Sequence, residues 1–218
     1  MEVIKSVIDF ILHIDKHLAT IIQQYNQITY LILFVIIFAE TGLVVTPFLP
    51  GDSLLFAAGA LIAGGNTGLS IYVLAIILIA AAFLGNTVNY LLGRYLGHKV
   101  FKEENKVLKL EYYNRTKAFF DKHGALAVIL SRFMPIIRTI APFVAGVGRM
   151  PMWKYSIYNI IGGASWILLM LFAGFLLGNI PFFKDHFSLI ALAIIAVSLL
   201  PAVIGVIKSA ASKKKTAQ

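Results

Sequence analysis

Cysteine is missing from all 218 residues. Disulfides, thiolate nucleophiles and cysteine-based metal sites are therefore excluded, and cysteine usage says nothing about redox compartment. Acidic side chains are scarce, 10 against 19 lysines and arginines, and charged residues of both signs make up 13% of the chain. No HExxH pattern occurs. The five histidines, His13, His17, His98, His123 and His186, fall at predicted ends or surfaces of apolar segments, so a histidine-based phosphatase would lack its nucleophile. A carboxylate protease dyad would need Glu40 and Asp52 in contact, which the sequence does not demonstrate. No enzyme, metal or cofactor is expected.

What fills the chain instead is apolar. Hydrophobic residues reach 59% and the mean hydropathy is +0.85, values that exclude an ordinary soluble domain and indicate an all-α integral membrane protein. The net charge of +9 comes from residues that flank apolar spans. It reflects topology and anionic lipid rather than nucleic acid.

The chain is organised around residues 40–63, ETGLVVTPFLPGDSLLFAAGALIA. Glu40 follows the apolar run 31–39 and falls at membrane depth, where an ionisable group is costly and by default functional. Pro47 and Pro50 remove backbone donors, Pro50-Gly51 is a turn signal, and Asp52 and Ser53 are N-cap types opening a half-length apolar helix. Non-helical backbone at that depth must be buried in protein or line a wet cavity. A second interrupted stretch, 124–150, carries Arg132 and Arg138 around Pro135, with Pro142 following. It repeats the design with the charge sign reversed.

Between and around these stretches, 1–27 reads as an interfacial amphipathic helix with Ile4, Val7, Ile8, Ile11 and Leu12 on one face. A single membrane domain then covers 28–207. Its predicted spans are 28–46, 71–92, 153–177 and 187–207, with re-entrant hairpins at 47–63 and 124–150. Gly85, Asn89 and Gly93 recur at helical spacing in the second span and predict close helix packing. Residues 98–123 form a basic amphipathic segment on the membrane surface, and 208–218 are a basic tail. With both hairpins re-entrant, the N-terminus, the basic segment and the lysine tail share one side, and only Lys184 remains on the other. The positive-inside bias makes the shared side cytoplasmic. The predicted fold is therefore about four transmembrane helices plus two oppositely oriented re-entrant helical hairpins. Such an inverted pair is an arrangement in which transporters hold a site near the midplane.

The breaks at Pro47, Pro50, Gly51, Pro135 and Pro142 bring four charges of cancelling sign to one depth. Two readings stay open: ion pairs that lock the hairpins, or a site. In a site, Arg132 and Arg138, with the Ser53 hydroxyl at a half-helix N-terminus, could grip a phosphate headgroup. Glu40 and Asp52 could exchange protons, since desolvation favours the neutral carboxyl and a nearby arginine the carboxylate. A lipid transporter or flippase leads. A proton-coupled cation or drug antiporter and a structural membrane-homeostasis protein are the alternatives.

ETGLVVTPFLPGDSLLFAAGAL and SRFMPIIRTIAPFVAGVGRM resemble the two signature stretches of the DedA family, whose shared region is also called the SNARE-associated or VTT domain. The resemblance runs from about Ile28 to Leu177. It implies a multi-pass protein of the bacterial inner membrane with membrane lipids and protons as partners. It further implies return of undecaprenyl phosphate across that membrane, dependent on proton-motive force; a homo-oligomer is left open. The family's important acids fall on Glu40 and Asp52 and its arginines on Arg132 and Arg138. Many relatives carry Gly-Asp where this chain has Gly85-Asn86, so a proton-relay role does not carry over there.

Overall fold

The computed structural model describes residues 20–42 except 23 and 26, 51–96 except 66, 110–178, and 180. The expected N-terminal amphipathic helix before residue 20, the breaks Pro47 and Pro50, residues 98–109 of the basic segment, the span 187–207 and the tail lie outside the described residues. Among those described, every regular element is helical: α1 (Ile28–Gly42), α2 (Gly51–Ala63), α3 (Ile71–Leu96), α4 (Leu110–His123), α5 (Ala127–Leu130), α6 (Pro135–Val147) and α7 (Met152–Leu177), with 3₁₀ turns at Gly124–Leu126 and Ser131–Phe133 flanking α5.

Among the described residues two helices, α3 and α7, are long and apolar enough to cross a membrane. Each has 26 residues, about 39 Å at 1.5 Å per residue, against a hydrocarbon core of about 30 Å. They run in opposite directions: Tyr155 near the start of α7 donates to the carbonyl of Asn86, and Asn159 one turn later to that of Phe83. Leu33 and Ile37 of α1, Leu55 of α2, Leu74 and Leu78 of α3, and Ile167 and Leu171 of α7 form the main buried core. Tyr72, Ile76, Leu169 and Leu176 of the long helices face outward, as lipid contact requires.

α1 runs parallel to α3. Tyr30 accepts a hydrogen bond through its hydroxyl from the Ser70 amide (2.7 Å) at the start of α3, and Gly42 packs on Gly85 near the midpoint of α3. α2 then begins beside Glu40 and ends close to Gly64–Gly65, so α1 descends and α2 returns to the same end of the bundle. This corrects the expectation that 28–46 crosses completely and that the first hairpin is confined to 47–63. At 15 residues, or about 22 Å, α1 is the hairpin's own descending arm. α1 ends and α2 begins at mid-depth, where Glu40 has its partners. The start of α1 therefore lies at the end opposite to the one at which α3 runs out, and residue 28 and Arg94 do not share a side.

The second unit inverts the first. The arm 124–133 lies along α7, with Ile129 against Gly162. It breaks at Met134, whose extended backbone (φ −118, ψ 103) is what a residue before proline prefers, and Pro135 opens α6 at its first helical position. α6 runs parallel to α3, with Thr139 beside Asn89 and Phe143 beside Gly93. Pro142, expected as a break, lies inside α6. Its ring removes only the bond to the Arg138 carbonyl, and the helix continues because Phe143 and Gly146 are pressed onto α3.

The returning arms are exchanged between units: α2 packs on α7 and α6 on α3. Both contacts use the same device. A Cβ on Gly174 would collide with the Phe56 carbonyl and one on Gly59 with that of Leu171; a Cβ on Gly93 would collide with the Phe143 carbonyl and one on Gly146 with that of Tyr90. In each pair the half-helix offers Phe-x-x-Gly and the long helix a residue and a glycine three positions apart, so backbone meets backbone twice. Of the basic segment, α4 is helical as expected, with Lys117 and Lys122 exposed, Thr116 buried, and Phe120 on the smaller core of Tyr90, Val128, Ala145 and Tyr155.

Since a carbonyl cannot swing aside as a side chain can, Gly93→Ala and Gly174→Ala should each cost about 1–3 kcal/mol, read as a lowered melting temperature in detergent. Gly163→Ala, whose nearest neighbour would be Ala82 Cβ at 3.9 Å, should leave the melting temperature unchanged or slightly raised.

Candidate functional site

The inner ends of the two units meet near the midpoint of α3, and the four charges gather there, Glu40, Asp52 and Arg132 buried and Arg138 largely so. Asp52 sits in the first turn of α2, where a carboxylate is favoured by the helix dipole. Arg138 occupies the first turn of α6, where a cation is disfavoured unless an acid compensates. It receives two. Nη1 donates to Asp52 Oδ1 at 2.9 Å and Oδ2 at 3.1 Å, and Nη2 to Glu40 Oε1 at 2.5 Å. Trp166 of α7 donates its indole N–H to Asp52 Oδ1 at 2.7 Å, and its ring centroid lies 5.4 Å from Arg138 Cζ. Glu40 is 2% exposed and abuts Gly51, where any Cβ would overlap its carboxylate. Gly51 is therefore required by the acid rather than by a turn alone.

Arg132 is held differently. It is 4% exposed, its Nη2 donates to Asn159 Oδ1, and its Nε has no partner among the described residues. No carboxylate pairs with it among those residues. Both arginines, Glu40, Thr41, Asn86, Thr139 and Trp166 line one cavity of ≈ 10 Å³, room for about one water molecule. The formal charges fall unevenly around it: the Glu40, Asp52 and Arg138 cluster carries one excess negative charge, and Arg132 balances it from the other wall.

Two asparagines of α3 complete the polar surroundings, Asn86 in the cavity lining and Asn89 beside it. Asn89, fully buried on α3, donates through Nδ2 to the Thr139 carbonyl at 2.8 Å and weakly to that of Thr41 at 3.5 Å. One amide thus touches the inner end of both units. Asn86 donates to the Ala82 carbonyl at 2.6 Å, and its buried Oδ1 has no partner among the described residues. Below the cavity the Tyr155 and Tyr90 rings stack 4.3 Å apart, Arg94 donates to the Tyr90 hydroxyl at 3.0 Å, and that hydroxyl donates to the Met150 carbonyl.

Of the residues expected from the sequence, Glu40, Asp52, Arg132 and Arg138 are brought together, with Gly51 against Glu40. Ser53 is not among the cavity residues: it is buried on α2 and its hydroxyl is unpartnered among the described residues. Asn159 and Trp166 were not anticipated. Asn159, a polar side chain within the apolar stretch 153–177, meets the same criterion that marks Glu40; Trp166 carries no signal that separates it from a lipid-facing aromatic.

A helical membrane bundle with two inverted re-entrant units around a buried charge cluster is a class in which substrate sites are built at mid-depth. The comparisons make the class specific. Residues 49–176 match the VTT domain. The chain is 48% identical to Protein DedA of Escherichia coli K12 over 95% of both chains, and 42% identical to an uncharacterized membrane protein of Mycobacterium leprae over 84% of this chain and 82% of that one. It is 36% identical to the inner membrane protein YghB of Escherichia coli K12 over 85% and 84%. No solved structure matches. The chain belongs to the DedA family of membrane proteins.

Arg138→Gln would leave two buried carboxylates uncompensated and should destabilise the protein by about 3–5 kcal/mol. Adding Glu40→Gln should recover part of that loss, read as chemical or thermal unfolding in detergent. If the double variant is as unstable as the sum of the singles, the two groups do not interact.

Proposed function

We propose that the chain moves an anionic lipid phosphate, undecaprenyl phosphate, across the bacterial inner membrane with proton coupling. The observation that carries this reading is the inequality of the two arginines. Arg138 is matched by two carboxylates, whereas among the described residues Arg132 faces the same cavity with only a neutral amide as side-chain hydrogen-bond partner. A buried guanidinium left without an acid is a prepared anion site, and its planar donors suit phosphate.

A phosphate group needs more room than one water. On this reading it is admitted when Asp52 takes a proton and parts from Arg138, which then turns its second edge to the anion. Protonation and phosphate binding thereby favour each other. The packing supports the same division. α1 and α6 lie on α3 and supply Glu40 and Arg138, while α2 and the arm 124–133 lie on α7 and supply Asp52 and Arg132. The Arg138–Asp52 pair joins the two groups. We read the chain as a transporter rather than an enzyme; among the described residues the cavity lining holds no histidine or serine to act as nucleophile. The excess carboxylate beside Arg138 favours a second reading, a proton-coupled cation antiporter, in which the acids bind the cation.

The test is transbilayer movement of undecaprenyl phosphate in proteoliposomes with and without a pH gradient. Wild type should accelerate it, Arg132→Gln should slow it by about tenfold or more, and Asp52→Asn should remove the response to the gradient. A folded wild type that moves no lipid, or an Arg132→Gln variant at the wild-type rate, overturns the proposal. Proton flux evoked by added cations in the same vesicles would identify the antiporter.

A further inference from the structure

We infer that Asn159 is a positioning residue that fixes Arg132 toward the cavity and, by being neutral, keeps that guanidinium available to a phosphate monoester; the inference rests on the lipid-phosphate reading above. Asn159 is fully buried on α7. Its amide nitrogen donates to the Phe83 carbonyl at 3.2 Å and reaches Thr87 Oγ1 at 3.5 Å, and Thr87 itself donates to the Phe83 carbonyl at 2.7 Å. With both donors of the amide directed at α3, its oxygen is left facing Arg132, and it accepts from Nη2.

The stem of Arg132 is confined as well. A Cβ on Gly162, one turn further along α7, would stand 3.0 Å from Ile129 Cα and 3.3 Å from Arg132 Cγ. The arm bearing Arg132 thus lies as close to α7 as a glycine permits. One turn of α7 consequently sets both where the side chain leaves the backbone and where its head is tied.

The choice of amide over acid follows from the charges. Among the described residues Arg138 already takes up Glu40 and Asp52, so Asn159 could be aspartate only by pairing off Arg132, the other arginine of the cavity. Aspartate has the same size and would reach the same nitrogen, giving a charge-assisted bond stronger than the present one. Such a change keeps the contact with Arg132 and removes the available positive charge, at the cost of the amide's bond to the Phe83 carbonyl.

The experiment compares binding of undecaprenyl phosphate and of the uncharged alcohol undecaprenol to the full-length protein in nanodiscs, with inorganic phosphate as competitor. Wild type should prefer the phosphate. Asn159→Asp should lose that preference by about tenfold or more while remaining folded, with some loss of melting temperature from the donor it no longer offers to the Phe83 carbonyl. Asn159→Ala, which unties the arginine without adding charge and reads the same quantity if the aspartate variant fails to fold, should reduce the preference and lower the melting temperature. Competition by inorganic phosphate would place recognition in the headgroup alone; its absence would mean that the lipid chain is also read. A wild type with no preference overturns the lipid-phosphate reading and this inference with it. A preference retained in both variants overturns this inference alone.

Discussion

A guanidinium at mid-depth in an apolar bundle is tolerable only if its charge is matched, and Arg138 is matched twice. Desolvating a charge costs several kcal/mol even after relaxation, and only close, hydrogen-bonded counter-charges repay it. Glu40 and Asp52 supply these from two helices, and Trp166 supplies a donor from a third. That requirement dictates much of the chain path. α1 must stop at mid-depth to deliver Glu40, α2 must start there to deliver Asp52, and α6 must start there to deliver Arg138. Helix ends inside a membrane expose backbone groups that need partners. The amide of Asn89, the carboxylate beside Gly51 and the turn at Met134 are where those partners are found.

Half-helices of this kind bury too little surface to hold themselves in place, and lipid provides no hydrophobic drive between helices. The remaining source of attraction is close packing, which explains the reciprocal glycine contacts of α2 with α7 and α6 with α3. Their matched spacing, Phe-x-x-Gly on each short helix against a glycine three residues from a carbonyl on each long one, ties the two inverted units into a single bundle. Each returning arm depends on the other unit's long helix. Neither unit could keep its arm alone.

The sequence made legible what local physics controls. Acids and arginines inside apolar runs pointed to one charge cluster, Pro135 marked the break after Met134, and Gly85 and Gly93 marked close approach. The depth at which α1 ends was hidden, because 28–46 is apolar over a full span length and apolarity cannot distinguish a crossing from a descent. Pro142 misled for a related reason. Tertiary packing on α3 carries the helix through a proline that would end an isolated one. Ser53 follows Asp52 on the same turn, but a helix places successive residues about 100° apart, and Ser53, also buried, is not among the cavity residues. Asn159 was missed because a neutral amide draws less attention than a charge, although burying one without partners is also costly.

The two carboxylates on Arg138 are not equivalent, and the difference comes from packing rather than chemistry. Glu40 and Arg138 both belong to helices that lie on α3, so their bond lies within one group of helices. Asp52 belongs to α2, which is fastened to α7 by Gly59 and Gly174 and receives a hydrogen bond from Trp166 on that same helix. Its bond to Arg138 therefore crosses between groups. Neutralising Glu40 weakens one group internally, whereas neutralising Asp52 removes an ion pair that joins the two. Arg132, anchored to Asn159 on α7, stays with the Asp52 group. The cavity thus has one arginine on each of its two walls, and the bidentate carboxylate between the walls is the contact whose charge decides how firmly they are held together.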